Sequence, residues 1–212
     1  MGYCMSGFHD IVGVDIHPQP NFPFDFEQGD AFVYVEKYGH LFDAIHASPP
    51  CQVHSVTAAS VRGRGLTPRF SDLVPQTRGW LELLGKPYVI ENVVGAHLLD
   101  PIILCGEMFG LGVIRHRAFE SNIYLTQPPH IPHRPGGTNS SKSKTWAGKG
   151  QSSHLYGAVY ITVAGNNYVL SEGLDAMGIS WMATRSELSE AIPPAYTCYI
   201  GNQVISYIRA QQ

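Results

Sequence analysis

The sequence predicts an α/β fold: a mostly parallel sheet with flanking helices and a small irregular insertion. Three observations carry this expectation. The apolar run Asp43-Ala44-Ile45-His46-Ala47 stops at Ser48-Pro49-Pro50-Cys51, and a second run, Pro87-Tyr88-Val89-Ile90, stops at Glu91-Asn92-Val93. Between them Leu73, Thr77, Trp80, Leu81 and Leu84 recur at helical spacing. Strand, helix and strand in that order form a βαβ unit, and its strands run parallel because the crossover returns the chain to the same end of the sheet.

Tyr3 to Phe8 reads as the end of a helix broken at Gly7, and Ile11 to Asp15 as a short buried strand ending in an acid. Locally, Asp15 reads as a turn or capping aspartate. His17 to Pro23 is a proline-rich loop, after which Gly29-Asp30-Ala31 opens a short helix over Phe32 to Tyr38 with Asp30 as N-cap. Residues 53–70 carry Gly63, Gly65 and Pro68 with little apolar periodicity, as expected of a mobile lid or of a long connection. The central helix starts at Ser71 or Asp72 and stops at Gly85. Short strands are expected over Pro101 to Cys105 and Phe119 to Leu125. Thr126 to Gly150 is a loop rich in Pro, His, Gly, Ser and Lys, and Tyr156 to Val169 suggests a hairpin around Gly165-Asn166-Asn167. Glu172 to Met182 and Arg185 to Ala191 read as short helices. Pro193-Pro194 starts a last helix with Tyr196, Ile200, Val204 and Ile208 on one face. The expected division is 1–125, 126–170 and 171–212.

Of the 212 residues, 44% are hydrophobic and 15% charged, which fits a folded chain. No apolar run approaches the roughly 20 residues of a membrane span, and Met1-Gly2-Tyr3-Cys4-Met5 does not resemble a signal peptide, so a cytoplasmic protein is expected. Cys4, Cys51, Cys105 and Cys198 lie far apart in sequence, which suggests neither disulfides nor zinc. His130 and His133 have a metal-like spacing without a carboxylate or cysteine cluster nearby, so no metal is expected. The formal charge of −3 gives no global basic signature and weighs against a protein that coats nucleic acid by charge alone. Two local clusters are basic: Arg62, Arg64, Arg69 and Arg78, and Arg115, Arg117, Arg134, Lys142, Lys144 and Lys149. Either suits a phosphate backbone or a solvated surface.

Ligands of open α/β sheets bind outside the carboxyl ends of the strands. A lone cysteine is most often a small buried hydrophobe. Cys51 behind two prolines, with Glu91 at the end of the neighbouring strand, instead makes a nucleophile and acid pair.

Six blocks in order then resemble the DNA cytosine C5 methyltransferases, in the short form of phages and prophages. Gly13-Val14-Asp15 resembles the second-strand acid, Gly29-Asp30-Ala31 the adenine-contacting aspartate and Pro50-Cys51-Gln52 the nucleophile loop. Glu91-Asn92-Val93, Arg115-His116-Arg117 and Gly201-Asn202-Gln203-Val204 resemble the carboxyl, arginine and closing blocks. A lone Pro-Cys also suits thymidylate synthases. The resemblance implies a Rossmann-like methyltransferase fold and S-adenosyl-L-methionine as cofactor, held by Asp15, Ile16, Asp30, Ala31, Pro49, Asn202 and Val204. It implies catalysis by Cys51, Glu91, Arg115 and Arg117 on a cytosine flipped out of DNA. A monomer without membrane or metal, working in the host cytoplasm within restriction-modification, completes the expectation. The family's glycine-rich turn and the strand before it would fall upstream of Gly2, and residues 126–169 are short for reading DNA. These two features leave open a non-catalytic protein that binds DNA or another subunit, and a methylase of free pyrimidine nucleotides.

Overall fold

The two apolar runs pair around their helix as strands of one sheet. The computed structural model describes residues 1–50, 72–130, 152–155, 158–164 and 168–212. In chain order these form α1 (Gly2–Met5), β1 (Val12–Asp15), β2 (Asp25–Gln28), α2 (Ala31–Tyr38), β3 (Ile45–Ala47), α3 (Val74–Leu84), β4 (Tyr88–Asn92) and β5 (Ile102–Leu104). There follow β6 (Arg117–Ser121), β7 (Ser152–Leu155), β8 (Ala158–Ile161), α4 (Leu170–Met177), α5 (Arg185–Glu190) and α6 (Pro194–Ala210). Short 3₁₀ turns occupy Gly39–Leu41 and Gly106–Phe109.

β3 and β4 run parallel, with Ile45 opposite Tyr88 and Ala47 opposite Ile90. α3 connects them. Asp72 Oδ1 accepts the Val74 N–H at 3.0 Å, and Gly85 closes the helix in the left-handed region at φ 68°. Ser71, the other expected start, lies outside the described residues. β6 inserts between β4 and β5 and runs antiparallel to both, so β3, β4 and β5 share a direction and β6 alone is reversed. β1 and β2 form a second parallel pair, with Val12 opposite Asp25. The chain is thus a mixed α/β fold in which parallel and antiparallel pairings coexist.

Several boundaries differ from the sequence-based ones. β6 starts at Arg117 and ends at Ser121, short of Leu125, because Asn122 caps the ladder: its Oδ1 accepts the Tyr88 N–H at 2.9 Å and its Nδ2 donates to Lys86 O at 2.9 Å. α4 stops at Met177, where Gly178 turns left-handed. β7 and β8 close with Leu155 opposite Ala158, upstream of the turn expected at residues 165–167, which lie outside the described residues. β2 was not foreseen: Asp25-Phe26-Glu27-Gln28 lies along an edge, largely exposed, and carries no apolar run.

The main core joins sheet to helix: Val89, Leu104 and Phe119 pack with Tyr196, Ile200 and Val204 of α6. The face read from the sequence of α6 is the one it buries. A second cluster unites Val113, Val163, Tyr168, Met177 and Leu188. α1 crosses α6 closely. A Cβ on Gly2 would fall 2.2 Å from Pro194 O, and one on Gly201 2.1 Å from Ser6 Oγ.

β1 and β3 do not pair, and among the described residues no strand lies between them. Their facing edges border two cavities, about 500 Å³ on the side of α2 and α3 and about 140 Å³ on the side of α1 and α6. All residues of β1 and β3 are accordingly half-buried, whereas all five of β4 are buried. Among the described residues no helix is long and apolar enough to cross a membrane.

Candidate active site

Side chains alternate along a strand, so Glu91 shares a face with Val89, and Asn92 shares the other with Ile90. The two polar residues end β4 where the apolar run is exhausted, and each reaches a different neighbour. Glu91 is 7% exposed. Arg117 stands diagonally across on β6, and its Nε is 2.9 Å from Glu91 Oε1. Burial pushes the Glu91 carboxyl above its ordinary range; Arg117, a hydrogen bond from Ser48 and Arg115 oppose this without cancelling it. Asn92 is wholly buried, and its Nδ2 donates to Pro49 O at 3.0 Å. β4 therefore grips the Pro49-Pro50 end of the loop that leads to Cys51. Cys51 and Gln52 themselves lie outside the described residues, as does the expected lid at 53–70.

Three groups missed in the sequence complete this end of the sheet. His46 Nδ1 lies 2.7 Å from Tyr3 OH and its Nε2 lies 3.1 Å from Ser48 Oγ. With the Ser48 to Glu91 bond this makes a chain of hydrogen bonds from Tyr3 to the carboxyl group. Burial lowers the His46 imidazole to about 4, so it is neutral at pH 7 although its strand borders the cavities. The same burial raises the Tyr3 phenol. The available signal was the i, i+2 spacing of His46 and Ser48 on a short strand; Tyr3 comes from 43 residues away and carried none.

The basic groups divide. Arg115 is buried and donates from Nη1 to Val163 O at 2.7 Å and from Nη2 to Ser189 O at 2.6 Å, which ties it to two backbone segments. Burial and Arg117 lower its pKa to about 10, leaving it charged at neutral pH. Its Nε has no hydrogen-bond partner among the described residues. Arg78, one of the cluster considered for phosphate contact, instead grips Glu120 with Nε at 2.5 Å and Nη2 at 2.7 Å and is withdrawn from that surface. Arg62, Arg64, Arg69, Arg134, Lys142, Lys144, Lys149 and His133 lie outside the described residues.

The larger cavity brings together Asp15, Ile16, Asp30, Ala31 and Pro49, five of the seven residues expected at the cofactor. Asp15 ends β1 and accepts the His17 N–H at 2.8 Å; Asp30 caps α2 by accepting the Phe32 N–H at 2.8 Å. Each carboxylate keeps lone pairs for further donors. Phe32, Tyr34 and Trp80 add aromatic surface, and among the described residues the lining contains no lysine or arginine. Two carboxylates beside aromatic faces can hold a ligand that carries hydroxyl or amine donors and a ring. Asn202 and Val204 are elsewhere, on α6. Asn202 is exposed, and Val204 is buried in the main core and lines the smaller cavity.

No family model and no curated protein matches the chain.

Proposed function

We propose that the chain is an S-adenosyl-L-methionine-dependent DNA cytosine C5 methyltransferase. The observation that carries the reading is Glu91: a buried carboxyl group with a raised pKa, paired with Arg117, on the strand that holds Pro49 beside the expected nucleophile. Asp15, Ile16, Asp30, Ala31 and Pro49 would hold the cofactor in the 500 Å³ cavity. When bound, S-adenosyl-L-methionine supplies an electrophilic methyl group for C5.

Cytosine C5 is a poor nucleophile until a group adds at C6. Cys51 thiolate forms the sulfur–C6 bond, and the ring electron pair moves toward N3 and O2. Glu91, whose carboxyl burial pushes above its ordinary range, gives a proton to N3, while Arg117 offers positive charge to O2. After methylation a base removes the C5 proton, the electron pair left behind expels Cys51 as thiolate, and N3 returns its proton to Glu91. In a duplex the cytosine must leave the stack for its ring to reach these groups.

Transfer of labelled methyl from the cofactor to DNA tests the reading. The wild-type chain is expected to label DNA, Cys51→Ala to abolish labelling, and Glu91→Gln to slow it by about 10²–10⁴-fold. Unlabelled DNA with labelled free dCMP would assign the chain to nucleotides. A non-catalytic protein that binds DNA or another subunit is favoured by the open seam between β1 and β3, which borders the cofactor cavity. Failure to bind the cofactor in calorimetry would select that reading.

A further inference from the structure

The connection between β5 and β6 gathers a second group of ligand-type side chains. Cys105 is fully buried at the end of β5, Glu107 stands in the following 3₁₀ turn, His116 precedes β6 and His130 follows it. One ligand atom each from Cys105, His116 and His130 lies within 4.8 Å of the others. His116 Nε2 is 3.3 Å from His130 Nε2, and Glu107 Oε1 is 3.1 Å from that same His130 nitrogen. An imidazole nitrogen has one in-plane direction for a proton or a lone pair. Two partners converging on it are therefore served better by a cation among them than by one shared proton. Two nitrogens bound to a tetrahedral zinc ion at about 2.0–2.1 Å lie about 3.3–3.4 Å apart, which is the spacing of the two imidazoles.

The surroundings agree with this geometry. Burial pushes the Cys105 thiol up, and backbone hydrogen bonds from Glu107, Arg115 and Gly106 oppose this without cancelling it. One thiolate and one carboxylate neutralise a divalent ion, so a buried site would carry no net charge. A thiolate and two imidazoles select zinc over magnesium or calcium.

We propose that Cys105, His116 and His130, with Glu107 as the fourth ligand, bind a structural zinc ion. It staples the end of β5 to the start of β6 and to the chain at residue 130. Binding releases the Cys105 proton, and four protein ligands leave no open position for a reacting water. The sequence hid the site because it pairs His130 with nearby His133, whereas the fold brings in Cys105 and His116 from the other side of β6.

The test is metal titration of the full chain after treatment with a chelator. One equivalent of zinc is expected per chain, and cobalt(II) in its place should give tetrahedral d–d bands with a thiolate-to-cobalt charge-transfer band. Cys105→Ser should remove the charge-transfer band. His130→Gln, at a partly exposed position, should keep the wild-type circular dichroism and lower zinc affinity by more than about 100-fold; Glu107→Gln should lower it about 10–100-fold. His40→Gln, at an exposed position elsewhere, should change nothing. The proposal is overturned if wild type takes up no stoichiometric zinc, if cobalt shows no thiolate band, or if folded His130→Gln binds zinc as wild type does.

Discussion

At His46 the fold works against the ordinary chemistry of imidazole. The folded ring has a pKa of about 4 against 6.5 in an exposed histidine, with burial as the cause. Between those values the unfolded chain binds the proton and the native chain does not, so stability increases with pH across this window and is lost on acidification through it. The loss reaches at most about 3 kcal/mol, less to the extent that solvent in the bordering cavities screens the charge. Urea unfolding from pH 4 to 7 should show this slope in wild type, and His46→Gln, which hydrogen-bonds but does not titrate, should flatten it. Equal slopes would assign the acid sensitivity to other groups. The role of His46 could not be read from its neighbours, because burial in the fold holds it neutral and its partner Tyr3 comes from α1. Glu91 was easier to pick out: a carboxylate directly after an apolar run stands at a strand end in any arrangement. Its pairing with Arg117 needed β6 to run antiparallel beside β4.

Among the elements, α6 separates a motif's look from its position. Gly201-Asn202-Gln203-Val204 resembles a cofactor block, yet in this helix the four residues face four ways. Gly201 meets α1, Asn202 meets solvent, Gln203 Oε1 accepts the Thr126 N–H at 2.8 Å, and Val204 packs in the core. Two helical glycines should therefore respond oppositely to alanine. Gly201→Ala places a Cβ 2.1 Å from Ser6 Oγ and 2.9 Å from Tyr3 Cδ1, and should cost about 1–3 kcal/mol in urea unfolding. Gly79→Ala, inside α3 where a Cβ meets nothing within 4 Å, should stabilise by about 0.5–1 kcal/mol. The same sign for both would mean that α1 does not press on α6 as described. The long helices were legible because each buries a wide stripe at helical spacing. β2 was not, since an exposed edge strand imposes no apolar pattern.

At the level of the whole molecule, the seam between β1 and β3 is a place of low cohesion among the described residues. Strand pairs that border open cavities have few apolar contacts, and local opening draws on such regions first. Hydrogen–deuterium exchange should find β1 and β3 exchanging about ten-fold or more faster than fully buried β4. S-adenosylhomocysteine should slow exchange in β1 and at the start of α2 if the cavity binds the cofactor as proposed. Equal protection of β1 and β4 in the free chain would remove the seam as a weak point. The βαβ unit, its capped helix and the apolar face of α6 follow from local periodicity, because burial on one face writes a repeat into the sequence. The order β3-β4-β6-β5, the reversal of β6, the grip of Asn92 on Pro49 and the meeting of Cys105 with His116 and His130 follow from contacts between residues far apart in the chain. Periodicity records which face is buried but not against what, so these partnerships exist only once the chain has closed on itself.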